Sequence, residues 1–255
     1  MMFDSHCHLN DENLYPKIDE IIANAKKTGV DKFLVVGYNK PSSDLAVKIA
    51  EKYEECYAAI GFHPCEIDGL SDEDFNKTLS LIEHKKVVAI GEIGLDYHWV
   101  KDLKERELQK QYFIKQIDFA NKNHLPICIH NRDSNEDCLK ILKEHTPFYS
   151  GVMHCYSGSV EMLEEVLGLG LYISLGGPVT FTNAKTPKEV AEVVPLEKLL
   201  IETDCPYLTP HPHRGEKNEP KFICLVSEEI ARLKGISKKH VDQVTYDNAL
   251  KLFKI

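Results

Sequence analysis

The chain has 255 residues, and its 40 Asp and Glu outnumber its 31 Lys and Arg to give a net charge of −9. That length suits a single α/β barrel and can bury a sizeable core. The acidic balance excludes a broad basic face, so any nucleic-acid contact must be local, through a few Arg and Lys or bound cations.

No apolar run approaches the ~20 residues of a membrane span, and MMFDSHCHL lacks the basic start and long apolar region of a signal peptide. The eight cysteines form no CxxC pair and several sit inside apolar runs, which fits reduced, buried thiols and a cytoplasmic protein. There is no low-complexity segment, fixed-period repeat or obvious linker, so residues 1–255 read as one domain with no obligate protein partner.

In chain order, the first β-rich run is FDSHCH (3–8). A helical pattern follows over 14–29, with Ile18, Ile21, Ile22 and Ala25 on one face and a Gly stop. KFLVVG (32–37), CYAAIGFHP (56–64) and VVAIGEIGLD (87–96) are the next β-rich runs, and a long helix charged on one face spans 103–124. PICIHNR (126–132) and GVMHCYSG (151–158) come next, then a helix over 159–170 that opens on a Ser cap and ends at Gly. LYISLGG (171–177) and LLIETDCP (199–206) complete eight runs, and two helices around 221–234 and 238–253 end the chain.

Most of these runs are near-continuously apolar, as strands buried on both faces should be. Alternation with helices implies parallel pairing and right-handed crossovers, and eight units close naturally into a (β/α)₈ barrel. A doubly wound open sheet competes, but it usually has fewer strands and a Gly-rich phosphate loop, and no GxGxxG or GxxxxGK[ST] is present.

Ionisable residues interrupt these apolar runs at one end only: His6 and His8, His63, Glu92 and Asp96, His130 and Arg132, His154, then Glu202 and Asp204. In such a barrel that end forms the active site. A lone strand His is usually a satisfied core residue, but a whole set at one end is not. His6 and His8 share a strand face and can bind one ion together. Asp4, one layer deeper, is expected to fix the tautomer of a ligated imidazole, and Glu202 to stand in the same relation to Asp204.

His6, His8, Glu92, His130, His154 and Asp204 exceed the ~3 protein ligands of one catalytic zinc. They suit two divalent ions with Glu92 as bridging carboxylate. Imidazole-rich ligation favours Zn, Mn, Fe or Ni, with Mg the hard-cation alternative. Two ions can activate a water and clamp the attacked group, and Asp204 is the best general-base candidate.

His63 is read either as a substrate contact or as shaping the turn before Pro64. Arg132 and Arg214 could hold an anionic group of a substrate. Asp96 and Tyr97 could line the mouth, or Asp96 could cap the next helix. The Pro-rich stretch 205–220, with Arg214, Lys217 and Asn218, reads as a cover over the site. His211 and His213 on it read as exposed, and His84, His98, His124, His145 and His240 as ordinary surface or core residues.

The ordered motifs DSHCHL, GFHP, GEIGLDY, PICIHNRD, HCYSGS, ISLGG, IETDCPYLTP and HRGEKNEP resemble the TatD family of metal-dependent hydrolases from Phe3 to the NALKLF of the last helix. The resemblance implies a TIM barrel of the amidohydrolase type. It also implies divalent-metal-dependent deoxyribonuclease activity, as endonuclease or 3′-to-5′ exonuclease, with DNA as substrate. Carried over by motif, His6, His8, Glu92, His130, His154 and Asp204 are the ligands. Cys65 stands where the family often has a second histidine after HP, which puts a phosphate contact there in doubt. The same ligand layout serves hydrolysis of a small amide, lactone or ester, or an aminoacyl-RNA ester. The intact ligand set argues against a scaffold that has lost its chemistry.

Overall fold

The structure is a computed structural model describing residues 1–255. Eight strands, β1 (Met2–Cys7), β2 (Val30–Val36), β3 (Cys56–Ile60), β4 (Val87–Asp96), β5 (Ile127–Arg132), β6 (Gly151–Met153), β7 (Tyr172–Leu175) and β8 (Leu199–Ile201), pair in parallel in sequence order. Helices α1 (Ile18–Lys27), α2 (Lys40–Lys52), α3 (Asp72–Leu79), α4 (Leu103–Lys122), α5 (Asn135–Glu144), α6 (Val160–Gly168), α7 (Thr186–Val193), α8 (Ile223–Lys234) and α9 (Lys238–Phe253) alternate with and follow them. This is the expected TIM barrel.

Strand residues divide between two cores, as their alternation demands. Phe33, Val35, Ala58, Ile60 and Ile90 pack outward with the helices. Leu34, Val36, Ala59, Ala89, Cys128, Val152 and Leu200 face the lumen, where Tyr246, Ala249, Leu252 and Phe253 of α9 join them. Phe3, near the start of β1, meets the rings of Tyr246 and Phe253 at 6.4 and 5.9 Å. The last helix therefore plugs the N-terminal end of the barrel and leaves the other end for a site.

Three strands stop four or five residues short of the runs read from sequence. β3 ends at Ile60, before the 3₁₀ turn Pro64–Glu66, and β6 and β8 have three residues each. Cys155 (φ 43°) and Asp204 (φ 55°) adopt left-handed backbone, which a strand cannot contain. The chain bends off the barrel rim there and turns His154 and Asp204 inward. β4 is the longest strand, with all ten residues buried. A Cβ on Gly91 would lie 2.5 Å from Cys128 Cβ, and one on Gly94 (φ +146°) 1.9 Å from the His130 oxygen. Only glycine lets β4 approach β5 this closely, and that approach brings Glu92 beside His130.

The seam between β1 and β8 is not a regular ladder. Ser5 Oγ donates to the Ile201 oxygen at 2.9 Å, while Thr203 donates to Asp4 twice, from N at 2.9 Å and from Oγ1 at 2.6 Å. Nearer the rim, Asp204 N donates to the His6 oxygen and His8 N to the Cys205 oxygen, both at 2.9 Å.

Candidate metal centre

The rim brings all six candidate ligands together around Glu92. One side of the cluster comes from β1 and the turn after β8. His8 donates its Nδ1 proton to the Val36 oxygen at 3.0 Å, which leaves a lone pair on Nε2. That atom lies 3.4 Å from Asp204 Oδ1 and 3.7 Å from Glu92 Oε2. His6 Nε2 lies 3.5 Å from the same Glu92 oxygen and 3.8 Å from Asp204 Oδ1.

The other side comes from β5 and the end of β6. His130 Nδ1 and His154 Nε2 lie 2.8 and 2.9 Å from Glu92 Oε1, and 3.3 Å from each other. Each imidazole has a carboxylate behind it: Asp96 Oδ2 is 3.1 Å from His130 Nε2, and Glu202 Oε1 is 3.5 Å from His154 Nδ1. Glu202 is held by Cys155 N and the Ser174 hydroxyl. Glu92 thus turns one oxygen to each imidazole set.

These residues fit divalent ions. His6 is fully buried, yet neither of its ring nitrogens has a hydrogen-bond partner, an arrangement that costs free energy unless something else accepts from or binds them. Ligand atoms ~2.1 Å from a shared ion in tetrahedral array stand ~3.4 Å apart, close to the 3.4–3.8 Å spacings on the β1 side. Imidazoles with carboxylates behind them are the usual ligands of such ions.

The electrostatics point the same way. Burial pushes the Glu92 carboxyl up, but the imidazoles of His154 and His63 outweigh it and hold the group well below the usual range. Burial disfavours a charged His154, but Glu92 and Glu202 raise it well above an ordinary histidine. His8 and His130 are likewise raised against burial, by Asp204 and Glu92 for the first and by Asp96 and Glu92 for the second. Burial, and the neighbouring His154, lower His6.

His63 lies closer to the cluster than a peripheral contact would. Its Nδ1 accepts from Cys65 N at 3.1 Å and its Nε2 points at Glu92 Oε1, 3.7 Å away. Burial, with His130 beside it, drops its pKa to about 3, so it is a neutral ring whose Nε2 carries the proton. Cys65 itself is exposed, and burial of its thiol with nearby carboxylates pushes its pKa up to about 12.

Several expectations need correction. Asp4 bonds to Thr203 and no imidazole, so it stitches the seam and orients no ligand. Glu202 backs His154 and makes no bond to Asp204. Tyr97 points away from the mouth: its hydroxyl donates to Asp137 at 2.7 Å and the Arg106 guanidinium covers its ring. Asp96 does not cap the next helix, whose cap is Asp102; its Oδ1 accepts from Trp99 N at 2.8 Å in the turn after β4, while its Oδ2 faces His130.

The two arginines differ. Arg132 is exposed, its guanidinium 5.6 Å from the Trp99 ring, and its charge reaches Cys65 and Cys155 beside the cluster. Arg214 lies on the Phe181 ring at 4.0 Å and donates to the Thr209 oxygen at 3.1 Å, so it braces its own loop. That loop does lean over the cluster: Asn218, fully buried, donates to the Thr203 and Tyr207 oxygens, and the Tyr207 ring meets His8 edge-on at 6.2 Å. His213 stacks on Phe222, and His211 is exposed. Ser174, which holds Glu202 behind His154, and Thr203, which holds Asp4 at the seam, carry no sequence signal of their own.

The family model described as TatD related DNase matches residues 3–254. An uncharacterized metal-dependent hydrolase of Bacillus subtilis, YabD, is 46% identical over the whole of both chains. Another from Escherichia coli, YcfH, is 37% identical over 100% of this chain and 96% of its own. The crystal structure of YjjV, a TatD homolog from Escherichia coli, superposes with a TM-score of 0.94 at 29% identity, covering 100% of this chain and 98% of that one.

Proposed function

The chain belongs to the TatD family of metal-dependent hydrolases, and we propose that it is a deoxyribonuclease that hydrolyses DNA phosphodiester bonds at the centre around Glu92. The observation that carries this reading is the split of Glu92, with Oε2 toward His6 and His8 and Oε1 toward His130 and His154. A carboxylate so placed suits a bridge between two divalent ions. His6, His8 and Asp204 would hold one ion, and His130 and His154 the other. When bound, such ions supply Lewis acidity toward phosphoryl oxygens and bring a water toward neutral acidity.

The chain's own groups do the rest. Burial raises the Asp204 carboxyl, but His8, His154 and His6 lower it on balance, so it stays ionised. Its left-handed backbone aims it into the cluster, and it accepts the proton of the attacking water. His63, neutral and protonated on Nε2, donates a hydrogen bond to a non-bridging phosphate oxygen. Arg132 pairs with a phosphate at the mouth. With a net charge of −9, affinity for DNA rests on this small patch, so its salt dependence is shallow.

The test uses protein stripped of metal and reloaded with single divalent ions, given end-labelled single-stranded and duplex oligonucleotides. Metal-dependent cleavage that His154→Ala abolishes is the expected result, and a ladder from the 3′ end would identify an exonuclease. No cleavage by a metal-loaded protein would reject DNA and turn attention to carboxylic esters, lactones and amides.

A further inference from the structure

The chain's single tryptophan, Trp99, is 69% exposed at the rim of the candidate centre, where a structural role would have buried it. The turn after β4 fixes its position. Asp96 accepts from the Trp99 backbone N–H at 2.8 Å with one oxygen and faces His130 Nε2 at 3.1 Å with the other. A single buried carboxylate thus sets both a candidate ligand and this residue. The Arg132 guanidinium stands 5.6 Å from the indole, and the His98 ring meets it edge-on at 4.8 Å. His98 is in turn held by Asp133 at 3.1 Å. The result is an exposed indole with a guanidinium over its ring, joined to the site through one side chain.

Resting on the deoxyribonuclease reading, we propose that Trp99 and Arg132 form a subsite for the nucleotide next to the scissile phosphate: the indole stacks on an unpaired nucleobase and the guanidinium pairs with its phosphate. Three features favour this occupant over an apolar protein surface. The patch carries a cation where an otherwise acidic chain must meet a polyanion. It adjoins the cluster that would act on the phosphate. An aromatic face with Arg beside it is also the common means of holding bases without reading sequence.

Trp99 is also the probe. Intrinsic fluorescence of the intact, metal-reconstituted protein is followed while a short single-stranded oligonucleotide is added, with a non-hydrolysable phosphorothioate backbone to prevent turnover. An oligonucleotide of the same backbone and length with abasic sites is the control. Stacking predicts quenching by the first and little by the second, and Trp99→Ala, which removes the intrinsic signal and is therefore followed by fluorescence anisotropy of a dye-labelled strand alongside the wild type, should weaken binding of the base-bearing strand roughly 5- to 150-fold with its metal content unchanged. Equal quenching by both strands, or an unchanged affinity in the variant, overturns the subsite. Absence of quenching while the unmodified oligonucleotide is still cleaved also overturns it, and leaves the nuclease reading standing. Neither quenching nor cleavage overturns both.

Discussion

Replacing Thr203 by Val tests the seam where the barrel closes. The hydroxyl donates to Asp4 at 2.6 Å and both residues are buried. Val has nearly the same shape, so the change leaves little cavity and removes two hydrogen bonds: the one donated to Asp4, which carries the pH dependence, and a long one accepted from Cys205 N at 3.3 Å, which adds the same cost at both pH values. Burial pushes the Asp4 carboxyl up to about 8, against the lowering effect of the Thr203 hydroxyl and N–H. The bond is therefore made to a neutral carboxyl at pH 6 and to a carboxylate at pH 9. A neutral hydrogen bond contributes ~1 kcal/mol and one to a charged group ~1.5–3 kcal/mol.

The sign follows from linkage. The Asp4 pKa is raised from 3.8 on folding, so its contribution is fully present below that value and is lost as pH rises through about 8. Losing a donor to the charged form raises the folded pKa further, and the variant suffers most on the alkaline side. The expected cost is ~1 kcal/mol at pH 6 and ~2–3 kcal/mol at pH 9. At ~2.1 cal/mol/K of unfolding entropy per residue, 2 kcal/mol over 255 residues lowers Tm by ~4 °C. Urea unfolding of the metal-free protein at both pH values measures the cost. In an Asp4→Asn background, which keeps the shape without the titration, the cost should become independent of pH. A cost under ~0.5 kcal/mol at pH 9, or one equal at both pH values in the wild-type background, would refute the reasoning.

Three further outcomes are expected. His8, His130 and His154 are raised by the carboxylates around them, and ions bind only deprotonated imidazoles, so metal uptake near pH 7 should release protons and tighten as pH rises. Calorimetry in buffers of different ionisation enthalpy counts those protons, and zero release contradicts the proposed ligand set. Glu92→Gln should reduce the ions retained from about two to one or fewer by elemental analysis, and wild-type content would remove Glu92 from the bridge. Gly94→Ala forces a Cβ against the His130 oxygen and should cost more than ~4 kcal/mol or prevent folding. A variant with wild-type Tm and metal content would show that β4 and β5 have room to part.

The barrel was legible because its strands are buried on both faces, so polar residues at their ends stood out against apolar runs. His6, Glu92 and His130 could be grouped from that contrast alone. The partners of the supporting carboxylates could not. Reasoning from i to i+2 assumes a regular strand, but β1 shifts register between Asp4 and Cys7, and Asp4 ends up facing Thr203, 199 residues away. His154 and Asp204 lie beyond strands that stop early, on backbone bends their residue types do not announce. The plugging role of α9 was equally hidden, because Tyr246, Leu252 and Phe253 would serve as well against the outer wall.

The seam has a consequence for the chain while it is being made. His6 and His8 are synthesised first among the candidate ligands, and Asp204 last, 196 residues after His8. Until Thr203 reaches Asp4 and Asp204 N reaches the His6 oxygen, the first two imidazoles have no carboxylate from β8 beside them. A chain that stops before Asp204 therefore lacks a complete centre, and no fragment short of the turn after β8 holds the whole candidate ligand set.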